Sequence, residues 1–170
     1  MFNKIFVNAK ANIKGGREFP NLNGNVYLKQ TSKGVIVTAE IHNLPTSNKI
    51  CESRIFGFHI HEGVSCTGDK EDEFKNALGH YNPNKCKHPY HAGDLPPLFE
   101  NNGYAYLSFL TNRFKVEDVI GKVIIIHSNV DDFKTDPSGN SRCENCVWED
   151  RRVNTFLFYK TTFIFLKVFK

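Results

Sequence analysis

Residues 25–41 read NVYLKQTSKGVIVTAEI, and the rhythm of this stretch sets the fold class. Asn25-Val26-Tyr27-Leu28-Lys29 and Gly34-Val35-Ile36-Val37-Thr38-Ala39-Glu40-Ile41 are rich in β-branched and aromatic residues and alternate as half-buried strands do. Thr31-Ser32-Lys33-Gly34 joins them as a hairpin turn. Working outward, Arg54–His61, Gly103–Phe109 and Lys122–His127 read as further strands. No segment sustains a 3.6-residue apolar period. The expected fold is therefore all-β: a Greek-key barrel or immunoglobulin-like sandwich. Glu62–Pro97 and Ser128 to about Ser141 interrupt the strands as two long loops, and loops of that length in a compact domain usually carry function.

Length and charge narrow the classes. A chain of 170 residues suits one domain. Residues 1–141 hold 16 Lys/Arg against 15 Asp/Glu, a net of +1, whereas residues 142–170 hold 6 against 3, a net of +3. The basic excess thus belongs to the tail, and the body gives no support to nucleic-acid binding. At the N-terminus, MFNKIFVNAKANIKGG has no apolar stretch long enough for a signal-peptide core, so a cytoplasmic location is expected. The C-terminal TFLFYKTTFIFLKVFK is broken by Lys160 and Lys167 and falls short of a membrane span. Five cysteines are an odd number, which leaves at least one outside any internal pairing.

Six of the seven histidines fall at the edges of the two long loops. His59 and His61 are two apart in a strand, so their imidazoles project from one face at a spacing that suits one metal. Alone, such a pair is more often simply solvated. His80 and His127 are equally weak signals singly; the latter closes an apolar strand, where a neutral core histidine is the plain alternative. His88-Pro89-Tyr90-His91-Ala92-Gly93-Asp94 is stronger, with two imidazoles and a carboxylate at three-residue intervals, a ligand set that zinc accepts. His42 lies outside this group, in a turn after the strand ending at Ile41, and receives no role.

Order and spacing add what single motifs lack. GFHIHE at 57–62, GHYNP at 79–83, HPYHAGDLPPL at 88–98, HSNVDDF at 127–133 and PSGN at 137–140 closely resemble the copper,zinc superoxide dismutase family, in the compact form of its bacterial branch. The likeness runs over roughly residues 8–141. It implies one copper held by His59, His61, His80 and His127, and one zinc held by His80, His88, His91 and Asp94. His80 then bridges the two as an imidazolate, and the four copper histidines are the catalytic set. Asp131 matches the carboxylate that hydrogen-bonds one copper and one zinc histidine, here His59 and His88. Superoxide is the implied substrate, converted to oxygen and hydrogen peroxide. Lys85 and Lys87 are either solvated loop charges or a source of positive potential for the anion. Gly57, Gly79 and Gly93 are expected where φ or packing excludes a side chain. A non-catalytic copper- or zinc-binding domain of the same fold is the alternative. Retention of His88, His91 and Asp94 argues for the bimetallic enzyme. The family's dimers use different surfaces, so a homodimer is an open expectation.

The resemblance stops near Ser141. Residues 1–141 are read as the dismutase-like domain and residues 142–170 as an atypical tail. Family members continue with a glycine, a basic residue near the copper channel, and a cysteine that bonds the one in the metal loop, here Cys66. This chain reads RCENCVWEDRRVN over 142–154, which puts Glu144 at the cation's position and Val147 at the cysteine's. Cys146 is one residue early, and in a strand that slip turns its thiol to the opposite face. Pairing of Cys66 with Cys146 or Cys143 then requires a different local backbone, and Cys51 and Cys86 stay in contention. One set of codons for these residues, with its first base removed, reads GVKIACGRIVG and then stop, the ordinary family ending. A frameshift is therefore one expectation for the tail. A natural extension supplying an extra strand or a partner-binding segment is the other.

Overall fold

The structure, a computed structural model, describes residues 8–47, 49, 54–128 and 131–134, and residues 152–161 by their backbone. Among the described residues nine strands form in chain order: β1 (Asn8–Lys14), β2 (Asn23–Gln30), β3 (Val35–His42), β4 (Ile55–Phe56), β5 (Phe58–His61), β6 (Leu98–Phe99), β7 (Tyr104–Thr111), β8 (Val123–His127) and β9 (Arg152–Thr161). A single helical turn, α1 (Val116–Val119), and a 3-10 turn at Lys75–Ala77 interrupt them. No helix among the described residues is long and apolar enough to cross a membrane, which says nothing about strands.

Seven strands make one antiparallel sheet in the order β5-β8-β9-β1-β2-β3-β7, and β4 pairs with β6 apart from it. The chain leaves β3 at one side of this order to reach β5 at the other, and crosses back between β7 and β8, as Greek-key connections do. Buried residues of β1, β2 and β3 share one core with Phe58, Ile60, Ile124 and Ile126 of β5 and β8. The sheet is therefore rolled, its two halves facing across that core. The fold class agrees with the sequence.

Element boundaries differ in instructive places. The hairpin forms as read: Thr31 N–H donates to the Gly34 carbonyl (2.8 Å), and Gly34 has φ +140°. The strand expected over Arg54–His61 divides at Gly57, so that β4 pairs with β6 while β5 pairs with β8. The sequence reading names no strand at β1. Its Ala9, Ala11 and Ile13 do alternate inward, but two alanines give a faint apolar signal. His42 is the last residue of β3 and not in a turn.

Alternation along β5 and β8 decides where the functional side chains go. Phe58 and Ile60 of β5 point into the main core, which turns His59 and His61 to the opposite face. In register with them on β8, Val123 lies opposite His61 and Ile125 opposite His59. Val123 and Ile125 belong to a second apolar cluster with Phe74 and Ala77 of the long loop. His127 continues this outer row by parity. Hence β5 is buried on both faces, one by the core and one by the loop covering it.

Backbone bonds stitch that loop to β5. Tyr81 N–H donates to the Ile60 carbonyl (2.8 Å), Ile60 N–H to Gly93 (2.9 Å), and Gly93 N–H to Tyr81 (2.8 Å). A Cβ at Gly93 would sit 2.2 Å from the Ile60 carbonyl oxygen and 3.0 Å from Tyr81, so only glycine fits. Gly79 is different: a Cβ there meets nothing within 4 Å, and steric need does not explain it. Replacing Gly93 with alanine is expected to destabilise the protein by about 1–3 kcal/mol through overpacking, read as a lower urea midpoint at unchanged slope. The same change at Gly79 should cost far less.

Candidate metal centre

The described residues bring six histidines and one aspartate into two groups that share a member. Ligand-type atoms of His59, His61, His80 and His127 lie within 4.8 Å of one another, and so do those of His80, His88, His91 and Asp94. His59, His61, His80, His88, His91 and Asp94 are buried, and His127 is half-buried. His42 stands apart at the end of β3, beside Glu40 (3.7 Å) and Tyr104.

Hydrogen bonding at the back of each ring sets which nitrogen faces inward. A backbone carbonyl, or a carboxylate outside the two groups, only accepts, so the ring nitrogen beside one is the donor and the other keeps its lone pair. His61 Nδ1 donates to the Leu78 carbonyl (2.8 Å), which leaves Nε2 facing His127 Nε2 at 3.3 Å. His59 Nε2 donates to Asp131 Oδ2 (2.9 Å), and its Nδ1 is buried with no hydrogen-bond partner. His88 Nε2 donates to Asp131 Oδ1 (2.7 Å), which leaves its Nδ1 3.1 Å from Asp94 Oδ2. Asp131 therefore ties one ring of each group to the other. Its own place is fixed by the Phe133 N–H (2.8 Å).

His80 is common to both groups. Its Nδ1 lies 2.7 Å from Asp94 Oδ1, while its buried Nε2 has no hydrogen-bond partner. The Nδ1 atoms of His80, His88 and His91 all lie 2.7–3.3 Å from Asp94 oxygens. Four ligands at about 2.0–2.1 Å from a tetrahedral zinc lie roughly 3.3 Å apart, so these spacings fit one such ion.

Electrostatics agree with metal binding. Burial pushes the His80 pKa from 6.5 down to about 4, against the opposing pull of Asp94, so the ring is neutral near pH 7 as a ligand must be. Burial alone would raise Asp94, but the His80 hydrogen bond and the charges of His80, His88 and His91 outweigh it and lower the pKa. Asp131 is likewise held well below the usual carboxylate range. Bonds from His59, His88 and the Phe133 N–H overcome the upward push of burial.

A stability change with pH follows. Between pH 6.5 and about 4 the unfolded chain binds a proton at residue 80 that the folded metal-free protein refuses. Stability should therefore fall as pH drops through that window, by roughly 3 kcal/mol from this group. Depressed Asp94 and Asp131 add losses of the same sign at lower pH. Thermal unfolding in chelator from pH 7.5 to 4 checks this, and a flat midpoint would refute it.

The family model for copper/zinc superoxide dismutase matches residues 22–145. This chain belongs to that family. Among relatives of the dismutase family, superoxide dismutase [Cu-Zn] 1 of Aquifex aeolicus is 35% identical over 133 residues, covering 69% of this chain and 73% of the relative. The superoxide dismutase [Cu-Zn] of Legionella pneumophila is 35% identical over 121 residues, 67% of this chain and 68% of its own. A second Aquifex dismutase is 31% identical over 148 residues, covering 76% and 81%. All three are bacterial, as the compact HxxHxGD segment suggested.

Sequence reasoning missed the Leu78 carbonyl, which orients His61 through its backbone and leaves no side-chain signal. Cys66 is half-buried against Phe74, Ala77, Val123 and Ile125. Cys51, Cys143, Cys146, Glu144, Val147 and the PSGN motif lie outside the described residues. The Cys86 backbone is clamped by Asn82, whose side chain accepts from its N–H (2.9 Å) and donates to its carbonyl (2.8 Å).

Proposed function

We propose that this chain dismutates superoxide, turning two superoxide anions and two protons into oxygen and hydrogen peroxide. The carrying observation is the pair of buried ligand groups that share His80. In this reading His59, His61, His80 and His127 hold one copper, and His80, His88, His91 and Asp94 hold one zinc. Copper held there would supply the one-electron redox chemistry of the reaction, and zinc would supply a charge that does not change oxidation state.

The chain's own groups do the rest. Asp131 keeps the rings of His59 and His88 turned with Nδ1 inward. His80 would carry the proton: with Nδ1 turned toward Asp94, Nε2 is the ring atom with no hydrogen-bond partner and would hold the proton passed to a substrate oxygen. Because His127 is the half-buried member, solvent and substrate approach from its side. Exposed Lys85 and Lys87 add positive potential to the loop.

The near balance of charge over residues 1–141 supports no nucleic-acid partner. We propose a homodimer and a cytoplasmic location for the chain. For residues 142–170 we propose a shifted reading frame, tested by comparing this chain with one ending GVKIACGRIVG. The repaired chain, in which GVKIACGRIVG would take the place of β9 (Arg152–Thr161), should be the more active.

Superoxide decay after pulse radiolysis tests the main proposal. Protein loaded with copper and zinc, with loose metal chelated, is expected to consume superoxide catalytically, and protein loaded with zinc alone should not. Uptake of both metals without consumption would instead support the non-catalytic binding domain.

A further inference from the structure

We propose that Arg113 is a positioning residue that sets the geometry, and so the affinity, of the zinc-side ligands, a role that rests on the metal assignment above. His88, His91 and Asp94 come from a loop with no strand or helix of its own between them. Holding such a segment in one conformation costs entropy at every residue. Something rigid must offset this.

Arg113 stands two residues beyond β7, a strand paired along its whole length with β3. Its own N–H is fixed by Thr111 Oγ1 (3.2 Å). Its Nη1 donates to three carbonyls of the loop: Pro89 (3.1 Å), His91 (3.2 Å) and Asp94 (3.1 Å). Two of those belong to ligand residues, and the third follows directly on His88. One permanently charged nitrogen thus gathers the backbone beside all three loop ligands and ties it to the sheet.

The action is on one side of the centre. Copper-side His59, His61 and His127 sit on β5 and β8 and receive nothing from Arg113. Arg113 also helps wall a groove of about 330 Å³ with Pro89, Asp94, Leu95 and Pro96. Shortening it to alanine lets water reach the three carbonyls, so the loop loosens while the core stays covered.

The test uses the full chain with Zn2+, Cu2+ and Co2+ as probes. R113A is expected to bind Zn2+ about 10–100-fold more weakly in competition with a chromophoric chelator, the usual range for partners that orient ligands. Its Cu2+ affinity should stay within about 2-fold, since it touches none of the strand-borne ligands. The visible spectrum of Co2+ on the zinc side should lose its tetrahedral pattern. R113K, which keeps a charged donor, should recover part of the Zn2+ affinity. Unchanged Zn2+ binding by R113A overturns the proposal. Equal losses of both metals with no recovery in R113K also overturn it, because they mark general destabilisation. A parent chain that takes up no Zn2+ overturns the metal assignment itself, and this inference with it.

Discussion

H80A should lose both metals together. Every other residue of these two groups belongs to one of them, whereas His80 belongs to both, with Nδ1 toward Asp94 and a buried Nε2 that has no hydrogen-bond partner. Alanine leaves three ligands on each side and strands Asp94 Oδ1 in a buried site. Loss of an outer partner already weakens metal binding by about 10–100-fold, so loss of a shared ligand should exceed about 100-fold for zinc and for superoxide consumption. The control is H42A. His42 has the same chemistry but lies exposed at the end of β3, so its removal should leave metals, rate and stability unchanged within about 0.5 kcal/mol. Chelator competition and superoxide decay on both variants give the comparison. A variant H80A that keeps either metal at parent affinity would break the shared-ligand account.

Ending the chain at Arg151 should abolish cooperative folding. β9 lies between β8 and β1 in the sheet, pairing Val123 with Leu157 on one side and Ala11 with Phe158 on the other. Without it both neighbours become bare edges. Each lost backbone bond costs about 1 kcal/mol net. Together these losses reach the 5–15 kcal/mol that holds a whole domain folded. Near-UV circular dichroism and a thermal scan read the result: no sharp transition in the shortened chain, a sharp one in the full chain. If the shortened chain melts within a few degrees of the full one, β9 carries no such weight. The family match, residues 22–145, includes neither β1 nor β9, so a chain cut to those limits should fail for the same reason.

Legibility followed the range of the interactions. β2, β3 and β7 were readable because each carries its own alternation with β-branched or aromatic residues, and β8 because of its unbroken β-branched run. β6, two residues long, exists only through its pairing with β4, and no local signal marks it. The division at Gly57 is also non-local, since β4 and β5 pair with different strands and the sequence runs on unbroken. The residues that converge were legible because their spacing along the chain matches their convergence in space: His59 with His61, then His88, His91 and Asp94. What holds them was less so. Asp131 came from resemblance, and the Leu78 carbonyl and Arg113 act through backbone contacts that no motif encodes. For β9, aromatic and β-branched residues announced a strand-forming segment, but its place between β8 and β1 depends on partners more than twenty residues away.

Anomalous diffraction at the copper and zinc absorption edges, on crystals of the loaded protein, locates both ions. Two peaks of different element are expected: copper among His59, His61, His80 and His127, and zinc among His80, His88, His91 and Asp94, with the ring of His80 between them. A single shared peak, or metal bound away from these seven side chains, would contradict it.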